Sequence, residues 1–172
     1  MKKGQRQVTI ALMRNEVEYD AQSILSVIAD TLPSGETAHV KHIYNDICEN
    51  ENARRTIRFA DTAFAVLAEH LHGYTATPIG GDIATDDIAH IPDVYTLAMQ
   101  MDDDTSSSQV ALIKVLSHDY MVLAIVCGWL ALIGSDRLDY YAAKRDTALA
   151  DAVKAADSHN RIGRVTPFFG NT

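Results

Sequence analysis

Apolar residues recur every three or four positions along several stretches of the chain, which is the spacing of one face of an α-helix. The first stretch runs from Ile10 to Leu32 and is followed by Pro33-Ser34-Gly35. Because proline lacks a backbone donor and glycine accepts left-handed dihedral angles, this tripeptide is typical of a helix end. The pattern therefore predicts a long amphipathic helix from Ile10.

A second long helix is predicted from Glu49 to Gly73, where acidic residues at the start are followed by apolar residues at helical spacing. The stretch between the two helices, from Ala38 to Ile47, fits a helical turn or an extended connector. After Thr75, prolines and a Gly-Gly pair interrupt the helical pattern. The alternating run from Val94 to Met101 predicts a strand, with Ile79 to Ile83 as its candidate hairpin partner.

The segment from Ser106 toward Ile133 is apolar nearly all round, which predicts a buried central helix. Its charge-free run, Met121 to Ile133, is too short to span a bilayer. Gly134-Ser135 breaks the pattern, and Ser135 is the predicted N-cap of a fourth helix whose apolar face runs from Leu138 to Ala156.

The predicted fold class is mainly α, a bundle of about four long helices with a small β-hairpin insertion and an extended C-terminal tail. With 172 residues, 47% of them hydrophobic, the chain is large enough for one domain with a real core. The predicted parts of this domain are a helical half at 9–73, an acidic hairpin or loop at 74–108, a helical half at 109–157 and a tail at 158–172.

Charge is unevenly distributed along the chain. The net charge is -8, yet seven aspartates and no Lys, Arg or Glu lie between Thr75 and Ile113. The acidic balance argues against nucleic acid and anionic membranes as partners. Asp102, Asp103 and Asp104 are candidates for docking a basic partner or a cation, and the alternative is that the aspartates only form turns and helix starts.

Candidate chemistry is sparse. His118-Asp119 resembles the paired ligands of helical metal-dependent phosphohydrolases, with Asp151 or Asp157 as a distant carboxylate; the alternative is a polar anchor between helices. His39 and His42 share a helical face but do not form a strong ligand set. We therefore expect no catalytic residue, no metal and no cofactor.

Two further features bear on chemistry and compartment. Asp104-Thr105-Ser106-Ser107-Ser108 has the Asp-x-Ser-x-Ser pattern of an adhesion-type metal site, but helix capping explains it better. Cys48 and Cys127 are the only cysteines and stand far apart in sequence, which favours a reducing, cytoplasmic compartment.

The second half of the chain resembles the small helical virion proteins encoded in tailed-phage prophages, of the head-to-tail connector or head-completion type. The residues that carry the resemblance are the strand Val94 to Met101, the helix from Leu116 to Trp129-Leu130, Tyr140-Tyr141, and the tail Arg161-x-x-Arg164-x-x-Pro167-Phe168. The resemblance covers Glu51 to Phe168 loosely and is best from Val94 onward. The chain departs from that pattern at Asp102-Asp103-Asp104, where the family has a less charged break.

The resemblance implies a non-enzymatic structural subunit that binds neighbouring copies of itself and other virion proteins, without a membrane or nucleic-acid partner. It would be cytoplasmic during assembly and then part of the virion. The implied interaction residues are Asp102, Asp103, Asp104, Arg161, Arg164 and Phe168. The competing classes are a metal-dependent hydrolase that uses His118 and Asp119, and an acidic regulator that binds a basic protein.

Overall fold

A computed structural model describes residues 4–33, 38–49, 52–74 and 92–157. The elements in chain order are β1 (Gln5–Met13), α1 (Arg14–Asp30), α2 (Ala38–Asn45), α3 (Ala53–His70), β2 (Val94–Asp102), α4 (Ser107–Leu132) and α5 (Leu138–Asp157), with short 3-10 turns at Asp46–Cys48 and His72–Tyr74. The predicted mainly helical fold with a small antiparallel sheet is confirmed.

The helix predicted from Ile10 is wrong at its start. The stretch begins as strand β1 and becomes helical only at Arg14. Ile10 and Leu12 are buried while Thr9 and Ala11 are exposed, which is the two-residue period of a strand. The β-branched run from Val8 to Ile10 also favours a strand. The spacing of Ile10 and Met13 fits a helix only by coincidence.

β1 pairs with β2 in an antiparallel sheet, in a register that sets Gln5 opposite Asp102 and Met13 opposite Val94. The predicted strand is therefore present, but its observed partner comes from the N-terminus. The candidate partner Ile79 to Ile83 lies outside the described residues, as does the predicted tail at 158–172. Pairing β1 with β2 joins the two halves of the chain.

The stretch that was open to two interpretations, Ala38 to Ile47, is helical: α2 is followed directly by a 3-10 turn. α3 begins four residues after the predicted start at Glu49 and ends at His70. The hydroxyl of Thr56 in α3 donates to the carbonyl of Ile47 at 2.8 Å, which fixes the turn against α3.

α4 lies at the centre of the fold, where α1, α3 and α5 all pack against it. Ile113, Met121 and Leu130 are fully buried. The indole N–H of Trp129 donates to the carbonyl of Ile43 at 3.1 Å, so a buried aromatic ring also satisfies its polar atom. The prediction of a central helix with buried side chains is therefore confirmed.

α4 is longer than its charge-free run, and it is long and apolar enough to cross a bilayer, with a mean hydropathy of 1.8 over its most apolar window. The core helix of a soluble protein passes the same test, and 44% of that window is buried here. Length and composition alone therefore decide nothing about a membrane.

α4 and α5 run antiparallel around a tight connection. Gly134 adopts a φ of 66°, which ends α4 in a conformation that L side chains rarely adopt. Ser135 then holds the next turn, since its hydroxyl accepts from the N–H of Arg137 at 3.3 Å. At the other end of the pair, the side-chain amide of Gln109 donates to the carbonyl of Ala155 at 2.9 Å.

α3 and α4 approach each other closely at Gly128. We therefore expect the effect of an added methyl group on stability to depend on whether the Phe59 ring is present. A Cβ at Gly128 would lie 2.8 Å from Cγ of Phe59. In Gly128→Ala, overpacking of about 1–3 kcal/mol outweighs the gain of about 1 kcal/mol from alanine's helix propensity. We expect urea unfolding to show a less stable variant.

The control is the same substitution in a Phe59→Ala background, where the ring is gone and only the helix propensity of alanine remains. There Gly128→Ala is expected to be neutral or stabilising. An equal loss of stability in both backgrounds would contradict the packing account.

Candidate interaction surface around the central helix

A groove of about 550 Å³ runs between α1, α4 and α5. Its lining is mostly apolar, and Asp119, Lys144 and Asp151 are the charged side chains along it. The other lining residues are Ile24, Leu116, Val122, Leu123, Tyr140, Ala143, Thr147 and Ala148. An apolar floor with a few charges is typical of a groove that binds a protein segment.

Apolar side chains extend this surface along α4 toward its N-terminus. Leu112 is 50% exposed and Val115 is 51% exposed. At helical spacing, both lie on the same face of α4 as Leu116 and Asp119, which line the groove. Half-exposed aliphatic side chains next to an apolar groove mark a surface that favours a partner.

An aromatic pair forms the opposite end of the groove. The rings of Tyr140 and Tyr141 meet edge to face with their centroids 5.1 Å apart. The ammonium group of Lys144 lies 4.6 Å from the centre of the Tyr140 ring, which orders the lysine by a cation–π contact. Tyr140 is 59% exposed, and tyrosine is enriched in protein interfaces.

The side chains of His118 and Asp119, the pair of the alternative hydrolase hypothesis, contact different neighbours. Nε2 of His118 lies 2.9 Å from Oδ2 of Asp20 on α1, whereas Asp119 lines the groove together with Asp151. Consecutive residues of a helix point about 100° apart, so the two side chains face different neighbours. Asp157 is elsewhere, where it accepts a hydrogen bond of 2.8 Å from Tyr74.

Asp102, Asp103 and Asp104 are the acidic residues predicted to contact a partner. Asp103 and Asp104 form the turn between β2 and α4, and Asp102 is the last residue of β2. The N–H of Asp103 donates to the carbonyl of Gly4 at 3.2 Å, and the guanidinium of Arg6 donates to the carbonyl of Thr105 at 2.5 Å. The hydroxyl of Ser106 accepts from the N–H of Gln109 at 3.1 Å, which confirms helix capping at this serine.

The predicted basic and aromatic residues of the tail, Arg161, Arg164 and Phe168, lie outside the described residues. The last described turn of α5 lies beside the first turn of α4, through the hydrogen bond from Gln109 to Ala155. α5 therefore ends at the same end of the molecule as the Asp102–Asp104 turn.

Two buried groups with raised pKa values are poor candidates for catalysis. Burial raises the pKa of the Cys127 thiol, so little reactive thiolate forms near neutral pH. Burial, followed by the hydrogen bond to Asp61, raises the pKa of Tyr95 far above its usual value. The Tyr95 hydroxyl lies 2.7 Å from Oδ1 of Asp61, and its ring packs 5.0 Å from that of Phe64. Both contacts join Tyr95 of β2 to α3, so they fix the sheet to that helix.

Sequence patterns missed Leu112 and Val115 as surface residues, because an all-round apolar helix predicts burial on every side. Their exposure is indicated only indirectly, by the lengths of the helices. A central helix of 26 residues needs long neighbours on all faces, and α1, at 17 residues, is too short to cover its full length.

The raised pKa of Tyr95 predicts a specific loss of stability in alkali. A tyrosine that ionises near pH 10 in the unfolded chain, but not in the fold, stabilises the protein fully below that pH. This contribution is lost as the pH rises above 10, because the unfolded state then releases a proton that the native state keeps. Tyr95→Phe is therefore expected to lose less stability than the parent between pH 9 and pH 11 in urea unfolding, an interval of about one unit on either side of that pKa.

Tyr19→Phe serves as the control, because Tyr19 is exposed on α1. It should follow the pH profile of the parent protein. If Tyr95→Phe also followed that profile, Tyr95 would not be the group that resists ionisation in the fold.

Comparison of the chain with protein-family models, with curated proteins and with solved structures finds no match. The surface must therefore be interpreted from the residues of this chain alone.

Proposed function

We propose that this protein is a non-enzymatic structural subunit of a phage or prophage particle, of the head-to-tail connector or head-completion type. The observation that carries the proposal is the exposed apolar strip on α4, formed by Leu112 and Val115, which continues into the groove between α1 and α5. A subunit that assembles needs a surface of this kind, and a monomer does not.

The occupant of this surface is a neighbouring copy of the chain. Subunits of a ring meet through two different patches, so that each copy offers one surface and fills another. Covering the strip removes apolar area from water at about 25 cal/mol per Å². The charges along the groove, Asp119, Lys144 and Asp151, then fix the orientation of the bound copy.

A second contact of the assembly joins the acidic turn of one copy to the basic tail of the next. Asp103 is exposed in that turn, and the tail carries Arg161 and Arg164. The net charge of -8 makes copies repel one another, so a local pairing of opposite charges supports their association. Phe168 supplies the apolar end of the tail.

The virion part of the proposal is supported by the resemblance to prophage head-to-tail proteins, which covers Glu51 to Phe168 loosely and is best from Val94 onward. A four-helix bundle and an extended C-terminal tail are the architectural part of the same proposal. The subunit is cytoplasmic during assembly and then part of the virion, with other virion proteins as its further partners. It needs no cofactor, membrane or nucleic acid.

Placing charges on the exposed strip tests the first contact. Leu112→Glu combined with Val115→Glu is expected to remove the subunit from particles, because two carboxylates would be buried against an apolar partner. The readout is the copy number in particles purified from a strain whose only copy of the gene is the variant, measured by mass spectrometry.

The matched control is Leu132→Glu, since Leu132 is 49% exposed on the same helix but about 160° around it from Leu112. This variant should assemble like the parent. Equal incorporation of the double variant and the parent would remove the strip from the assembly surface.

Charge reversal in the tail tests the second contact. Arg161→Glu with Arg164→Glu is expected to lower the copy number in particles, because the tail would then repel the acidic turn. Arg54→Glu with Arg55→Glu makes the same charge change at exposed positions of α3 and should leave assembly unchanged. Normal incorporation of the tail variant would disprove this contact.

A further inference from the structure

Three potential metal ligands come together where α2 ends and α3 begins. The ligand atoms of His42, Asp46 and Glu49 all lie within 4.8 Å of one another. His42 lies in α2, Asp46 begins the 3-10 turn that follows it, and Glu49 is the extended residue directly after that turn. This cluster is distinct from the groove along α4 and has no part in the proposed assembly.

The imidazole of His42 lies between the two carboxylates. Its Nδ1 contacts Oδ1 of Asp46, and its Nε2 lies 3.9 Å from Oε1 of Glu49. Oδ1 of Asp46 is shielded from solvent, and among the described residues it accepts no hydrogen bond of suitable geometry. His42 and Glu49 are 60% and 57% exposed, so an ion can reach the cluster from solvent.

The backbone that carries the carboxylates is held firmly. The carbonyl of Asp46 accepts from the side-chain amide of Asn52 at 3.0 Å and from the N–H of Glu49 at 3.1 Å. The carbonyl of Glu49 accepts from the N–H groups of Asn52 and Ala53 at 2.8 and 2.9 Å. Ile47, between the two acids, is fully buried in the core. Preorganised backbone lowers the entropy lost when side chains close around an ion.

We propose that His42, Asp46 and Glu49 form a binding site for a divalent transition metal ion such as zinc. Two carboxylates carry more negative charge than one imidazole balances, whereas a divalent cation balances both. Imidazole and carboxylate are ligands that zinc accepts at about 2.0–2.2 Å, so the three side chains must rotate to place one ligand atom each around the ion. Water completes the coordination shell of this exposed site.

The bound ion ties the end of α2 to the turn that leads into α3. A ligand that binds only the folded state stabilises it by mass action. Zinc is therefore expected to raise the melting temperature of the protein, and to do so only while the three ligands are present.

The test uses the full-length protein without an affinity tag, in a Cys48→Ser background. Cys48 stands two residues after Asp46, and its thiol is removed because it is itself a strong zinc ligand. Calorimetric titration of the metal-free protein with zinc chloride near neutral pH is expected to show saturable binding of one ion per chain. His42→Ala and Glu49→Gln should each weaken this binding by about tenfold or more.

The matched control is His39→Ala, which removes an exposed histidine from the same helix outside the cluster and should bind zinc like the Cys48→Ser parent. Circular dichroism of each variant shows that it is folded, and Glu49→Gln changes only an exposed group. Absence of saturable binding by the parent would overturn the proposal. Equal affinity of His42→Ala and the parent would also overturn it, and neither result would affect the assembly surface on α4.

Discussion

The structure depends on the need to cover one apolar helix. α4 carries buried side chains from Ile113 to Leu130, and a helix that is apolar nearly all round must be enclosed by other elements. α1, α3 and α5 each cover one side, and the absence of a side chain at Gly128 lets the Phe59 ring of α3 approach closely. The sheet joins the two halves of the chain and completes the core through Ile10 and Leu97.

The same constraint explains where the protein offers surfaces. Among the described residues, no element fully covers Leu112 and Val115 of α4, and this is where we propose the contact between copies. The cluster of His42, Asp46 and Glu49 has a different origin, because it lies on an exposed turn whose backbone is fixed by the start of α3 and by the burial of Ile47. The surface on α4 follows from the incomplete coverage of that helix. The cluster follows from the rigid connection between α2 and α3.

Local sequence patterns predicted the elements whose signals are local. The strand at Val94, the apolar character of α4, the break at Gly134 and the capping serine Ser106 all have short-range causes. The strand β1 was predicted as helix because Ile10 and Met13 match a helical spacing, while its pairing with β2 joins residues far apart in sequence. Pairing His42 only with His39 did not reveal the cluster. Asp46 and Glu49, at helical spacing from His42, were nevertheless visible in the sequence.

Mass spectrometry of particles purified after prophage induction, in the strain that carries the gene, shows whether the chain is an assembly subunit of a phage particle. The proposed function predicts peptides of this chain at several copies per particle. Absence of the chain from intact, well-formed particles would contradict it.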